Sequence, residues 1–166
     1  MGLFDKFKKA KPAEKPAAQA EKPVAKKETI DWDKIEAQIA EERAASRKIL
    51  SVNSDWDSQY RLIKALERNC GYDDVVYVES DDEALDRIEY HSFLRLIILD
   101  MNAWSSLDII TTIEVFKENA PDVPIILTSA PDYVVEEALD VGASYVFGKD
   151  YDILPEFYEA VKTLVG

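Results

Sequence analysis

Five short apolar runs, each continuous rather than alternating, recur along the chain with helical patterns between them. They fall at 48–53 (KILSVN), 74–79 (DVVYVE), 95–100 (RLIILD), 124–128 (PIILT) and 144–148 (SYVFG). A strand with one wet face alternates polar and apolar residues. A run that is apolar at nearly every position is covered on both faces, which implies a parallel sheet between layers of helix. The stretches near 56–69, 81–91, 108–119, 132–141 and 152–164 carry helical periodicity, clearest where Leu154, Phe157, Tyr158, Val161 and Leu164 follow a 3.6-residue repeat. Gly71 and Gly142 fall where helix C-terminal caps belong. Strict alternation of strand and helix predicts a doubly wound α/β domain with right-handed crossovers. At 166 residues and 47% apolar content, the chain accommodates one such domain, assigned to 48–166, and an appendage.

The appendage differs in composition. Residues 1–28 hold eight lysines against four acids, so this end is +4 and the remaining residues are −17 within the total of −13. An acidic body argues against nucleic acid as the partner, because phosphate backbones recruit basic faces. Residues 1–9 place Leu3, Phe4 and Phe7 on one helical face with Lys6, Lys8 and Lys9 largely elsewhere. Such a segment either makes a weak contact with an anionic membrane surface or frays as a solubilising terminus. Residues 10–28 are almost wholly Ala, Lys, Pro and Glu, a composition that builds no core and favours an extended tether. Residues 29–47 predict a helix capped by Asp31, with Trp32, Ile35 and Ile39 forming a narrow stripe that packs on the domain or on a second copy, a homodimer. One cysteine, Cys70, excludes an internal disulfide and fits a reducing compartment. Neither a signal peptide nor a run of 18 apolar residues is present, so the expected location is cytoplasmic, with the inner membrane face open to residues 1–9. Lys6 stands where a myristoylation signal wants Ser or Thr.

In a doubly wound sheet the functional crevice lies beyond the carboxyl ends of the strands. The residues there are Asn53, Ser54 and Asp55 after the first run, Asp100 at the end of the third, Ser129 after the fourth and Lys149 after the fifth. The segments KILSVNSDWDSQYRLIKAL, LIILDMN, PIILTSA and GASYVFGKD, in this order and spacing, resemble the receiver domain of two-component response regulators. The resemblance implies a five-stranded flavodoxin-like fold with strand order 2-1-3-4-5. It implies that Asp100 matches the aspartate that accepts a phosphoryl group from a histidine kinase. Ser129 then matches the family's hydroxyl residue, and Lys149 its lysine.

The departures are as informative. Where the family holds Mg²⁺ with two adjacent acids, this chain has Asn53 and Ser54. Phosphoryl transfer to a carboxylate brings two anions together, and the metal neutralises the charge that develops. Mg²⁺ takes oxygen ligands, usually one or two carboxylates with phosphate and water. Asn53, Ser54, Asp55 and Asn102 form at most a weak, degenerate ligand set, so no cofactor is expected and Mg²⁺ enters only if that pocket still works. The loop NAWSSLD puts Trp104 at the family's proline position, where it serves as a lid on the crevice or as a partner contact. The position of the family's switch aromatic is Val146, flanked by Tyr145 and Phe147. Without phosphorylation, Asp100 and Lys149 would pair as a structural ion pair, and Ser129 would satisfy loop backbone. Asp55 and Asp57 read as caps of the first helix after the first strand. His91, the only histidine, reads as a surface residue.

Together these features predict a non-enzymatic pseudo-receiver without an output domain. It would act by protein–protein interaction in a two-component or phosphorelay pathway, independently of phosphorylation. Its partners would be a histidine kinase or another signalling protein, met through Tyr133, Tyr145, Phe147 and Trp104. The alternative is a working single-domain response regulator phosphorylated on Asp100. An FMN site is disfavoured, because the loop NSDWDSQ has no glycine to cradle a phosphate.

Overall fold

The computed structural model describes residues 28–90 and 93–166. Segment 1–9, nearly all of the 10–28 linker and His91 lie outside the described residues. The described residues divide into two units between residues 38 and 39. Helix α1 (Trp32–Ala45) begins in the first and ends in the second. Asp31 caps it, accepting from the Lys34 amide at 3.2 Å, as the sequence predicts. It buries none of its residues, and Trp32, Ile35 and Ile39 are exposed.

In the second unit, strands β1 (Lys48–Val52), β2 (Val75–Val78), β3 (Leu94–Asp100), β4 (Ile125–Thr128) and β5 (Tyr145–Val146) form a parallel sheet in the order β2-β1-β3-β4-β5. Helices α2 (Trp56–Cys70), α3 (Asp81–Tyr90), α4 (Ile109–Asn119), α5 (Asp132–Asp140) and α6 (Pro155–Val165) alternate with them. The (βα)5 fold and strand order are those the receiver resemblance implies.

The continuous apolar runs are explained by the sheet's two dry faces. Leu50, Val52, Ile97, Leu99, Ile125 and Leu127 point to one side, into a cluster with Ile113 and Phe116 of α4 and Val134 and Ala138 of α5. Ile49, Leu96, Ile98 and Ile126, offset by one residue, meet Leu62 and Leu66 of α2 and Phe157 and Val161 of α6. Truncating the fully buried Phe116 or Phe157 to alanine would cost about 3–5 kcal/mol. Gly71, at φ 71°, closes α2 in the left-handed conformation and donates to the Glu67 carbonyl.

Two elements differ from their sequence outlines. The fifth strand is two residues long, although Ser144 and Phe147 still bond to β4 through the Ile125 and Leu127 carbonyls. The last helix is preceded by a 3-10 turn at Tyr151–Ile153 and starts at Pro155, because the residue before a proline avoids helical backbone. No helix among the described residues is long and apolar enough to cross a membrane.

Candidate functional site

Asp100 is the last residue of β3 and only 3% exposed. Strand register sets it beside Thr128 of β4. Its Oδ2 accepts from the Thr128 hydroxyl at 2.7 Å and the Ser129 hydroxyl at 2.8 Å. Its Oδ1 accepts from the Asn102 backbone amide at 2.8 Å and the Asn102 side-chain amide at 2.9 Å. An ionised carboxylate offers roughly four lone-pair sites, and here four donors that carry no formal charge meet them. Ser129 reaches its position from a left-handed backbone, φ 58°, a conformation that is costly for a non-glycine residue and concentrates at functional sites.

This geometry corrects two expectations. Lys149 makes no ion pair with Asp100. The carboxylate is already saturated by hydroxyl and amide donors, while Lys149 stays exposed at the rim of a cavity of about 240 Å³ shared with Arg61, Asn102, Ser129 and Tyr151. Ser129 spends its hydroxyl on Asp100 rather than on loop backbone. Thr128 and Tyr151 are members of the site that sequence reasoning missed. Tyr151 is buried beside the Thr128 hydroxyl; burial first, and the Asp100 charge second, push its phenol well above the usual tyrosine range.

The neighbouring end of β1 is neutral. Asn53 is buried, and its Oδ1 accepts from the Asp55 amide at 2.9 Å. The Ser54 hydroxyl donates to the Asn102 carbonyl. Gln59 of α2 reaches underneath, fully buried, and its amide donates to the carbonyls of Asn53 at 3.0 Å and Val78 at 2.9 Å. The Gln59 Oε1 accepts from the Ser51 hydroxyl. Asp55 caps α2, accepting from the Asp57 amide at 3.2 Å and the Ser58 hydroxyl at 2.6 Å, and the Ser58 bond chiefly holds its carboxyl below the usual range.

The oxygens at these strand ends are engaged within the fold. The Asn53 oxygen is committed to backbone, Ser54 and the Asn102 carbonyl bond each other, Asp55 faces its own helix, and both Asp100 oxygens are occupied. Among the described residues no group of three or more His, Cys, Asp or Glu side chains is placed to hold a metal.

The loop after β3 runs across to β2, where Trp104 bridges Ser80. The Trp104 amide donates to the Glu79 carbonyl at 2.9 Å, and its carbonyl accepts from the Asp81 amide at 3.0 Å. The Trp104 side chain is 64% exposed and does not line the cavity that holds Ser129 and Lys149. On the far edge of the sheet, Tyr133 is 84% exposed. Tyr145 stacks on Phe147 with ring centroids 6.3 Å apart, and Phe147 packs edge-on against Phe157 at 5.5 Å. Phe147 is half-buried, packed on one side against the core. Val146 faces the opposite cluster. A shift of one residue in a strand reverses the face, so neither flanking aromatic takes the place of an aromatic at Val146.

No protein-family model matches the sequence, and no curated protein matches it. Solved structures do match in fold. The beryllofluoride-activated receiver domain dimer of NtrC4 has a TM-score of 0.62 at 24% identity, covering 72% of this chain and 97% of that one. A two-component response regulator from Clostridium difficile has a TM-score of 0.60 at 25% identity, covering 70% and 93%. A response regulator from Burkholderia pseudomallei with a phosphorylated aspartic acid, calcium ion and citrate has a TM-score of 0.58 at 20% identity, covering 73% and 67%. The domain has the receiver fold.

Proposed function

We propose that this chain is a receiver-like module that works by protein–protein contact in a two-component or phosphorelay pathway and is not switched by phosphorylation of Asp100. The observation that carries this reading is the state of Asp100, buried with both oxygens bonded by donors without formal charge, beside a β1 end that brings no charge for a metal. A nucleophilic carboxylate would first have to give up some of these bonds, and only Lys149 and Arg61 at the cavity rim would face the charge of an approaching phosphoryl group. The partner surface is the edge formed by α5 and β5, with Tyr133 as its most exposed aromatic and Tyr145 on the strand. Val146 leaves this edge without a switch aromatic, and a surface held in one conformation still recognises a partner by complementarity.

The phosphorylated alternative draws support from one feature: Asn102, Ser129 and Lys149 line a single cavity next to Asp100. Affinity capture of a partner followed by two variants separates the readings. Asp100→Asn leaves affinity within about threefold, ~0.6 kcal/mol, and Tyr133→Ala weakens it tenfold or more. Loss of binding in Asp100→Asn with the fold intact would assign control to phosphorylation.

A further inference from the structure

We propose that the C-terminal end of the edge strand β2 carries a binding site for an organic ammonium group. Trp56 opens α2 and Tyr77 lies in β2; their rings are 5.2 Å apart between centroids and inclined at 59°. Both are about half exposed, at 52% and 47%. Beside them is a cavity of about 210 Å³ lined by Asn53, Trp56, Gln59, Tyr77, Glu79 and Glu83. That volume lies below the ~300–1,000 Å³ of pockets for drug-sized ligands and suits a single head group.

The floor carries no charge, and most of its polar atoms are bonded within the fold. The Gln59 amide serves the Asn53 and Val78 carbonyls, and the Asn53 oxygen holds the Asp55 amide. What remains available is two inclined aromatic faces and two carboxylates. Glu83 is fixed in place, its Oε2 accepting from the Glu79 amide at 3.3 Å. Aromatic faces carry negative quadrupole charge and attract cations, most strongly at tryptophan, and quaternary ammonium groups are typically bound in such cages. Elsewhere the molecule supplies its own cations to aromatic rings: Arg43 to Phe93, Arg47 to Tyr72 and Lys64 to Tyr60. Among the described residues no lysine or arginine is stacked on Trp56 or Tyr77. Two carboxylates and two aromatic faces without a cation of their own select a positively charged ammonium group. An alkylated ammonium and a lysine side chain of a basic partner share that chemistry.

The test is an NMR titration of the full chain that follows the Trp56 indole N–H and the Tyr77 amide. Choline is compared with 3,3-dimethylbutanol, which has the same shape without the charge. The peptide acetyl-Ala-Lys-Ala-amide is compared with its glutamine analogue. Choline or the lysine peptide saturates with a dissociation constant on the order of 1 mM, and its neutral counterpart binds at least tenfold more weakly. Tyr77→Leu, which keeps an apolar side chain in the strand, abolishes the response with the melting temperature unchanged. Glu79→Gln weakens it several-fold and removes most of its salt dependence. Tighter binding of choline assigns the site to a free quaternary ammonium compound, and tighter binding of the peptide assigns it to a partner's lysine; both support an ammonium site. Equal response to charged and neutral probes, or no saturation at ten times that concentration, would overturn the proposal.

Discussion

The ends of β1 and β3 lie side by side in the same crevice and solve the same electrostatic problem in opposite ways. At β3 a buried carboxylate is kept and surrounded by hydroxyl and amide donors from Thr128, Ser129 and Asn102. At β1 charge is avoided, and Asn53, Ser51 and Gln59 form a neutral network with every bond internal. Among the described residues, no buried side-chain nitrogen or oxygen lacks a partner. The contrast shows that a crevice with one carboxylate can be electrically self-sufficient. A saturated aspartate needs no metal to be stable, whereas three clustered acids would repel one another without one.

The largest effect is expected on the neutral side. Gln59→Leu leaves the Ser51 hydroxyl and two carbonyls without their buried donor or acceptor, and the domain should lose about 3 kcal/mol in urea denaturation. A loss below about 1 kcal/mol would mean the network is replaceable and β1 is not locked. On the charged side, Asp100→Asn keeps one good acceptor but turns an NH₂ toward a donor, and should cost about 1–3 kcal/mol. A stabilised variant would show instead that the carboxylate is held under strain.

Converting one side into the other sharpens the comparison. Asn53→Asp with Ser54→Asp should lower stability in chelator by roughly 1–2 kcal/mol, from like charges about 4 Å apart at a water-accessible crevice mouth with an effective dielectric of about 40–80. Mg²⁺ should then restore stability and bind measurably by calorimetry, as it should not in the parent chain. A double variant indifferent to Mg²⁺ would mean that the Asp100 bonds alone exclude the metal.

The smallest effect is alkaline. The folded Tyr151 phenol has a raised pKa, from burial and then the charge of Asp100, so the native state holds its proton where the unfolded chain releases it. Its contribution is fully present below about pH 10 and is lost as pH rises through the unfolded value toward the folded one. Tyr151→Phe should flatten this alkaline fall in stability. An unchanged slope would remove Tyr151 from the site.

Much of the fold was legible because burial on both faces of a sheet writes itself as continuous apolar runs, as in RLIILD and PIILT. Asp100, Ser129 and Asp55 were legible because strand ends and helix caps are local events. Thr128 was not, since its place beside Asp100 depends on a register between strands 28 residues apart. Gln59 was not legible either, since its inward turn depends on carbonyls of β1 and β2 that only the assembled sheet presents. The Asp100–Lys149 pairing failed for a related reason. Opposite charges at the ends of β3 and β5 suggest a salt bridge, but hydroxyls of β4 and the residue after it, and the amides of Asn102 in the loop after β3, reach the carboxylate first.

The central proposal is that Asp100, with both oxygens bonded by hydroxyl and amide donors and no second carboxylate at the end of β1, does not act as a phosphoryl switch. The direct measurement is a two-dimensional NMR titration of the full chain with Mg²⁺ and beryllofluoride, a phosphoryl mimic. No saturable change is expected at Asn102, Ser129, Lys149 or Tyr145 at millimolar ligand. Saturable shifts at Asn102 and Ser129 that extend to Tyr145, and vanish in Asp100→Asn, would contradict the account and establish a working receiver.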